Sequence, residues 1–79
     1  MEQKYSFTDN GSYLVAANAL EIVTAMRDSS RFASDETIWE FMENFSERYQ
    51  IDTNNLIRTN TVEVFVEDLL HFGFIELVS

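Results

Sequence analysis

Thr61-Val-Glu-Val-Phe-Val-Glu-Asp-Leu-Leu-His-Phe-Gly-Phe-Ile-Glu-Leu-Val78 decides how this chain folds. Phe65, Leu69 and Phe72, with Leu56 upstream, stand at spacings that suit a buried helical stripe, and Ile57, Val62 and Val66 fall beside it. The β-branched residues lower helix propensity, so a strand over 61–66 competes. Leucine and acid content favour helix, and Gly73 supplies the stop, since glycine takes the left-handed conformation that closes helices. Phe74–Val78 then reads as a terminal strand or extended tail.

Working back from this ending, Asp52-Thr-Asn-Asn55 separates the last helix from the one before, and Asp52 or Thr53 is the expected N-cap. The preceding helix is expected to start near Ser34, a second cap candidate, with Asp35 and Glu36 in its first turn. In it Ile38, Phe41, Met42, Phe45 and Tyr49 form an apolar stripe; Glu40, Glu43 and Glu47 take other faces, and Trp39 falls at the stripe's edge or stays partly exposed. Arg27-Asp-Ser-Ser30 is a polar linker. Before it, Asn18 is placed to cap a helix with Ala19, Ile22, Val23 and Met26 at helical spacing. Residues 4–17 read as a hairpin: Tyr5 and Phe7 alternate onto one face, Tyr13-Leu-Val-Ala16 favours a strand, and Asn10-Gly11 tolerates the positive backbone angles of a tight turn. The expected order is hairpin, three helices, extended end. It is a single α+β domain over residues 1–79, with an N-terminal hairpin or small antiparallel sheet packed on three helices.

Seventy-nine residues without cysteine must be held mainly by apolar burial, for which seven phenylalanines and Trp39 provide the large groups. No apolar run approaches the roughly 20 residues of a membrane span, and the N-terminus lacks the basic start of a secretory signal. The expectation is a soluble cytoplasmic protein with no membrane partner. The formal charge is −9, and Lys4, Arg27, Arg31, Arg48 and Arg58 are scattered. A nucleic-acid binder concentrates basic residues to displace counterions from phosphate, so no nucleic-acid partner is expected. The acidity accounts for solubility, or for attraction to a basic partner.

Reaction chemistry finds little to stand on. His71 is the sole histidine and no cysteine can pair with it; near a helix C-terminus it complements the helix dipole. No serine sits in a Gly-x-Ser-x-Gly elbow, and Gly11 and Gly73 are too few for a phosphate loop. Asp52-Thr-Asn-Asn-Leu-Ile57 superficially resembles the start of a calcium loop, but Leu56 and Ile57 stand where an oxygen ligand and glycine are required. Glu40, Glu43 and Glu47, like Glu63 and Glu67, read as solvated helix faces. The expectation is a binding module, not an enzyme, with no catalytic residue, metal or cofactor.

Three segments carry a family resemblance. Tyr13-Leu-Val-Ala-Ala-Asn-Ala-Leu-Glu-Ile22 resembles the strand-to-helix passage of PqqD-like domains, the RiPP precursor peptide recognition elements; Asn18 replaces their capping threonine and Ala19 and Ile22 match. Ile38 through Asp52 is similar to their second helix, and Val62 through Ile75 to their closing Val, Phe-Leu, Leu, Gly-Leu-Ile pattern. The resemblance spans roughly residues 5–77 and implies a winged-helix-like fold. The family's sheet has three strands, whereas two precede the first helix here. The third comes either from the C-terminal strand or from a partner chain. The linker around Arg27–Ser34 is longer than the family's.

The resemblance implies a stand-alone peptide chaperone. It would bind the leader of a ribosomally made precursor peptide by strand addition and present it to a separate maturation enzyme or leader peptidase, as in lasso-peptide or quinone-cofactor biosynthesis. Carried over from the family, Ser12, Tyr13, Leu14 and Val15 supply the edge, and Leu56, Arg58, Thr59 and Glu63 the opposite helix wall. Ordinary core packing is the competing role of Leu14 and Leu56, and a solvated surface position that of Arg58. Proline at Leu14 is expected to delete a ladder donor. One rival function is a small acidic inhibitor that mimics nucleic acid in a basic protein groove; another is a winged-helix regulator or adaptor that contacts protein.

Overall fold

The computed structural model describes residues 2–8, 11–29 and 35–78. Its elements run β1 (Gln3–Phe7), β2 (Tyr13–Ala16), α1 (Ala19–Ser29), α2 (Ile38–Thr53), α3 (Val62–His71) and β3 (Ile75–Val78). The expected α+β domain, a small antiparallel sheet with three helices, is what forms. The sheet has three strands in the order β2-β1-β3, both pairings antiparallel. The C-terminal strand thus completes it in cis, and β1 is the central strand.

Local chemistry accounts for the turns. Gly11 stands at φ 72° and donates its amide to the Phe7 carbonyl, while the Phe7 amide donates to the Ser12 carbonyl. Asn10, expected to share the turn, lies outside the described residues. Gly73, at φ 78°, ends α3 as expected. Its amide donates to the Leu70 carbonyl and that of Phe74 to Leu69, the paired bonds of a Schellman ending. The Thr8 hydroxyl donates to the Gly73 carbonyl at 2.7 Å and so ties the hairpin to this helix end. Asn18 caps α1 by accepting from the Glu21 amide.

Two other caps differ from expectation. The cap of α2 is Thr37, whose hydroxyl accepts from the Glu40 amide while the Glu40 carboxylate accepts from the Thr37 amide. This reciprocal box satisfies two orphan donors, and it leaves Asp35 and Glu36 ahead of the helix. The alternative cap, Ser34, lies outside the described residues. α3 is capped by Thr61, not by Asp52 or Thr53. Those two belong to the last turn of α2, which ends at Asn54 in the left-handed conformation, φ 63°. Residues 55–60 are therefore coil.

That coil reverses two expectations. Leu56, expected in the buried stripe, is 58% exposed, and its neighbour Ile57 is 1% exposed. Helical spacing from Phe65 does not extend into residues that are not helical, so the inward residue is set by the path of the coil. Ile57 is held there by its carbonyl, which accepts from the buried Ser46 hydroxyl at 2.6 Å. Phe72 is also more exposed than expected, packing its ring 6.3 Å from Tyr49 at the core's margin.

The core otherwise follows the pattern. Ile22, Val23 and Met26 of α1, Phe41 and Met42 of α2, and Phe65, Val66 and Leu69 of α3 close on Ala16 and Ile75 of the sheet. Removing each large side chain from water contributes about 1.5–3 kcal/mol. Phe45 sits at the junction, with edge-on contacts to Phe65 and Phe74. Trp39 is half exposed.

Candidate functional site

The site begins with which way the strands point their main-chain groups. In an antiparallel pair, residues alternate between exchanging hydrogen bonds with the partner and turning their groups away. The Phe7 amide bonds the Ser12 carbonyl, and the register pairs Tyr5 with Leu14 and Gln3 with Ala16. Ser12, Leu14 and Ala16 therefore face β1, and the main-chain groups of Tyr13 and Val15 face away from it. The other pairing agrees: the Thr8 amide donates to the Phe74 carbonyl, which turns Ser6 and Lys4 toward β3. Among the described residues no strand pairs with the outer side of β2, and no hydrogen bond reaches the outward groups of Tyr13 and Val15.

This alternation corrects one expectation. The Leu14 amide belongs to the internal ladder with Tyr5, so proline at Leu14 attacks the fold rather than the open edge. Side chains alternate as well. Leu14 turns toward the core, while Tyr13 and Val15 stand on the outer face, 63% and 56% exposed. There the Lys4 ammonium lies 4.3 Å from the centre of the Tyr13 ring.

Beneath the turn end of the hairpin, beside β2, lies a groove of ≈640 Å³. β2 and its approach supply Ser12, Tyr13 and Leu14. The C-terminal half of α1 supplies Ala25, Met26 and Ser29, and α2 runs along it from Phe41 through Phe45, Arg48 and Tyr49 to Asp52. Phe7 and Phe74 complete an aromatic floor. The floor is built by edge-on packing, Phe7 against Phe74 and Phe74 against Phe45 and Tyr49, so it is pre-formed. An apolar floor with a few polar groups at the rim is the usual make-up of a binding pocket.

The eight residues expected to hold a peptide separate into two sets. Ser12, Tyr13 and Leu14 border the groove, and Val15 continues the same edge. Leu56, Arg58 and Thr59 lie in the coil before α3 and Glu63 in its first turn; none of the four borders the groove. The wall facing β2 is formed by α2 and the end of α1. Arg48 and Asp52 are the residues that the sequence reading passed over. Their signal was present, since both neighbour the Phe41, Phe45, Tyr49 stripe and stand one helical turn apart.

Arg58 has a structural task instead. Its main-chain amide donates to Asp68 Oδ2 at 2.8 Å, its Nε to the same oxygen at 2.9 Å, and its Nη2 to Oδ1 at 2.8 Å. Hydrogen bonding from the Arg58 side chain holds the Asp68 carboxyl below its ordinary value, against the upward push of burial. The same bonds raise Arg58 above the ordinary arginine value. Arg27 is engaged too, with the Asp28 carboxylate and the Glu36 carbonyl. Among the described residues Arg48 forms no ion pair and no side-chain hydrogen bond, nor does Asp52.

Among the described residues no helix is long and apolar enough to cross a membrane. The chain matches no family model, no curated protein and no solved structure.

Proposed function

We propose that this protein binds an extended peptide as an added strand on β2, with alternate side chains of the peptide entering the groove beside α2. The observation that carries the reading is the outward-facing main chain of Tyr13 and Val15 bordering a pre-formed aromatic groove. Main-chain hydrogen bonds give such a site affinity for any extended chain, and the groove gives it selectivity. The resemblance to PqqD-like recognition elements names the peptide class: the leader of a ribosomally made precursor, handed on to a separate maturation enzyme or leader peptidase. In this reading the fold is winged-helix-like and works in the cytoplasm.

The test is calorimetric titration of the purified protein with the leader peptide encoded beside its gene. Saturable one-to-one binding is expected, weakened when main-chain amides of the central leader residues are N-methylated. Absence of binding, or binding indifferent to N-methylation, overturns the reading. A second reading draws on a separate observation. Glu40, Glu43 and Glu47 are exposed along α2 and, among the described residues, form no ion pair. With the charge of −9 this suits occupation of a basic protein groove. It requires a basic protein partner released steeply by salt, with no peptide preference.

A further inference from the structure

Arg48 and Asp52 give the groove a direction. Both line it, both are exposed, and among the described residues neither is neutralised by an ion pair. Among the described residues that line it, Arg48 is the one cationic side chain and Asp52 the one anionic side chain. Four residues of helix advance about 6 Å. Two residues of extended chain advance about 6.6 Å, and those two side chains point to the same face. Successive same-face side chains of a strand lying along α2 therefore meet first one charge and then the other.

We propose that Arg48 and Asp52 select a peptide carrying an acidic and a basic residue two positions apart, and that this pair fixes which way round the peptide lies. An acid at Arg48 and a base at Asp52 are both favourable. Reversing the peptide, or exchanging its two charges, sets acid against Asp52 and base against Arg48. The aromatic floor is indifferent to such a reversal, because Phe41, Phe45 and Phe74 accept any large apolar side chain. Main-chain pairing is equally indifferent, since strands add in either sense. The rim charges are what break the tie. This inference rests on the peptide-binding reading above and adds the ligand's charge order to it.

The test is selection from a displayed library of extended peptides randomised at alternate positions, on the native protein and on the double variant Arg48→Asp/Asp52→Arg. Both positions are exposed, and circular dichroism of the variant checks its fold. The native protein is expected to enrich acid and base two positions apart in one order relative to the apolar residue, and the double variant the opposite order. Exchanging the two charges in an enriched peptide is expected to weaken binding about tenfold at low salt and much less at 1 M salt. Enriched peptides without a charge order, or with an order unchanged in the double variant, overturn the inference and leave peptide binding standing. Enrichment of no peptide by either protein overturns both.

Discussion

Arg58 clasps Asp68 with its main-chain amide and the Nε–Nη2 edge of its guanidinium, so that one buried carboxylate fastens the coil of residues 55–60 to α3. The coil carries no helix or strand bonds of its own. Its position rests on this clasp and on the Ser46 hydroxyl that holds the Ile57 carbonyl. Ile57 is thereby kept in the core while Leu56 faces out.

The clasp makes stability depend on pH in one direction. Arg58 keeps the Asp68 carboxyl below its ordinary value, so the unfolded chain takes up that proton at a higher pH than the folded one. The contribution is fully present above about pH 4, the unfolded value, and is lost as pH falls through the lower folded value. Asp68→Asn is expected to be less stable than the native protein at pH 7, with the gap narrowing below about pH 4. Urea denaturation of both proteins across that range checks it; a gap independent of pH contradicts it.

Proline at adjacent positions of β2 is expected to act in opposite ways. Val15→Pro removes an amide that faces away from β1, which an edge strand tolerates, so the domain stays folded while strand addition is impaired. Leu14→Pro removes a rung to Tyr5 and is expected to unfold or strongly destabilise the sheet. Circular dichroism separates the two, and peptide titration of the folded variant then reads the edge alone. Full binding by folded Val15→Pro argues against strand addition there.

Filling the groove offers an independent check. Ala25 lies on its α1 wall, half-buried, where a larger side chain projects into the groove instead of the core. Ala25→Phe is expected to keep the melting temperature within a few degrees and to abolish or greatly weaken peptide binding. Unchanged affinity places the ligand elsewhere.

The two threonine caps have a common magnitude. Thr61→Ala and Thr37→Ala each delete an acceptor for a helix amide, and each is expected to cost about 1 kcal/mol. Thr37→Ala keeps the main-chain amide that donates to the Glu40 carboxylate, so its cost is expected to match that of Thr61→Ala. Chemical denaturation of both variants measures each loss, and no loss in either removes the capping assignment.

Much of this architecture was legible from residue types. Alternation at Tyr5 and Phe7, the apolar stripe of α2 and the glycine at 73 each report a local conformation, and each took the form its chemistry indicates. Thr37 and Thr61 were overlooked because Ser34, Asp52 and Thr53 are equally good caps in isolation. Only the path of the chain decides which of them a helix begins behind. Leu56 and Ile57 exchanged roles for a related reason, since a coil has no period to read. The groove's wall was beyond reach of pattern. That α2 rather than α3 faces β2 depends on how three helices cross, which no spacing along one helix encodes. Arg58 is one of five scattered basic residues in an acidic chain, and nothing in the spacing marks Asp68, ten positions on, as the carboxylate that claims it.

β1 lies between a near neighbour in sequence and a distant one. Its pairing of Lys4 with Val78 sets the strand by which the chain enters the sheet against the strand by which it leaves, about 5 Å apart. A unit with adjoining entry and exit can be spliced into a surface loop of another protein without spreading that host's framework. It can equally be closed into a ring by a short linker. Either graft would bring the β2 edge and its groove to the host intact, since the edge lies on the side of β1 away from β3 and the groove lies at the Phe7 end, away from Lys4 and Val78.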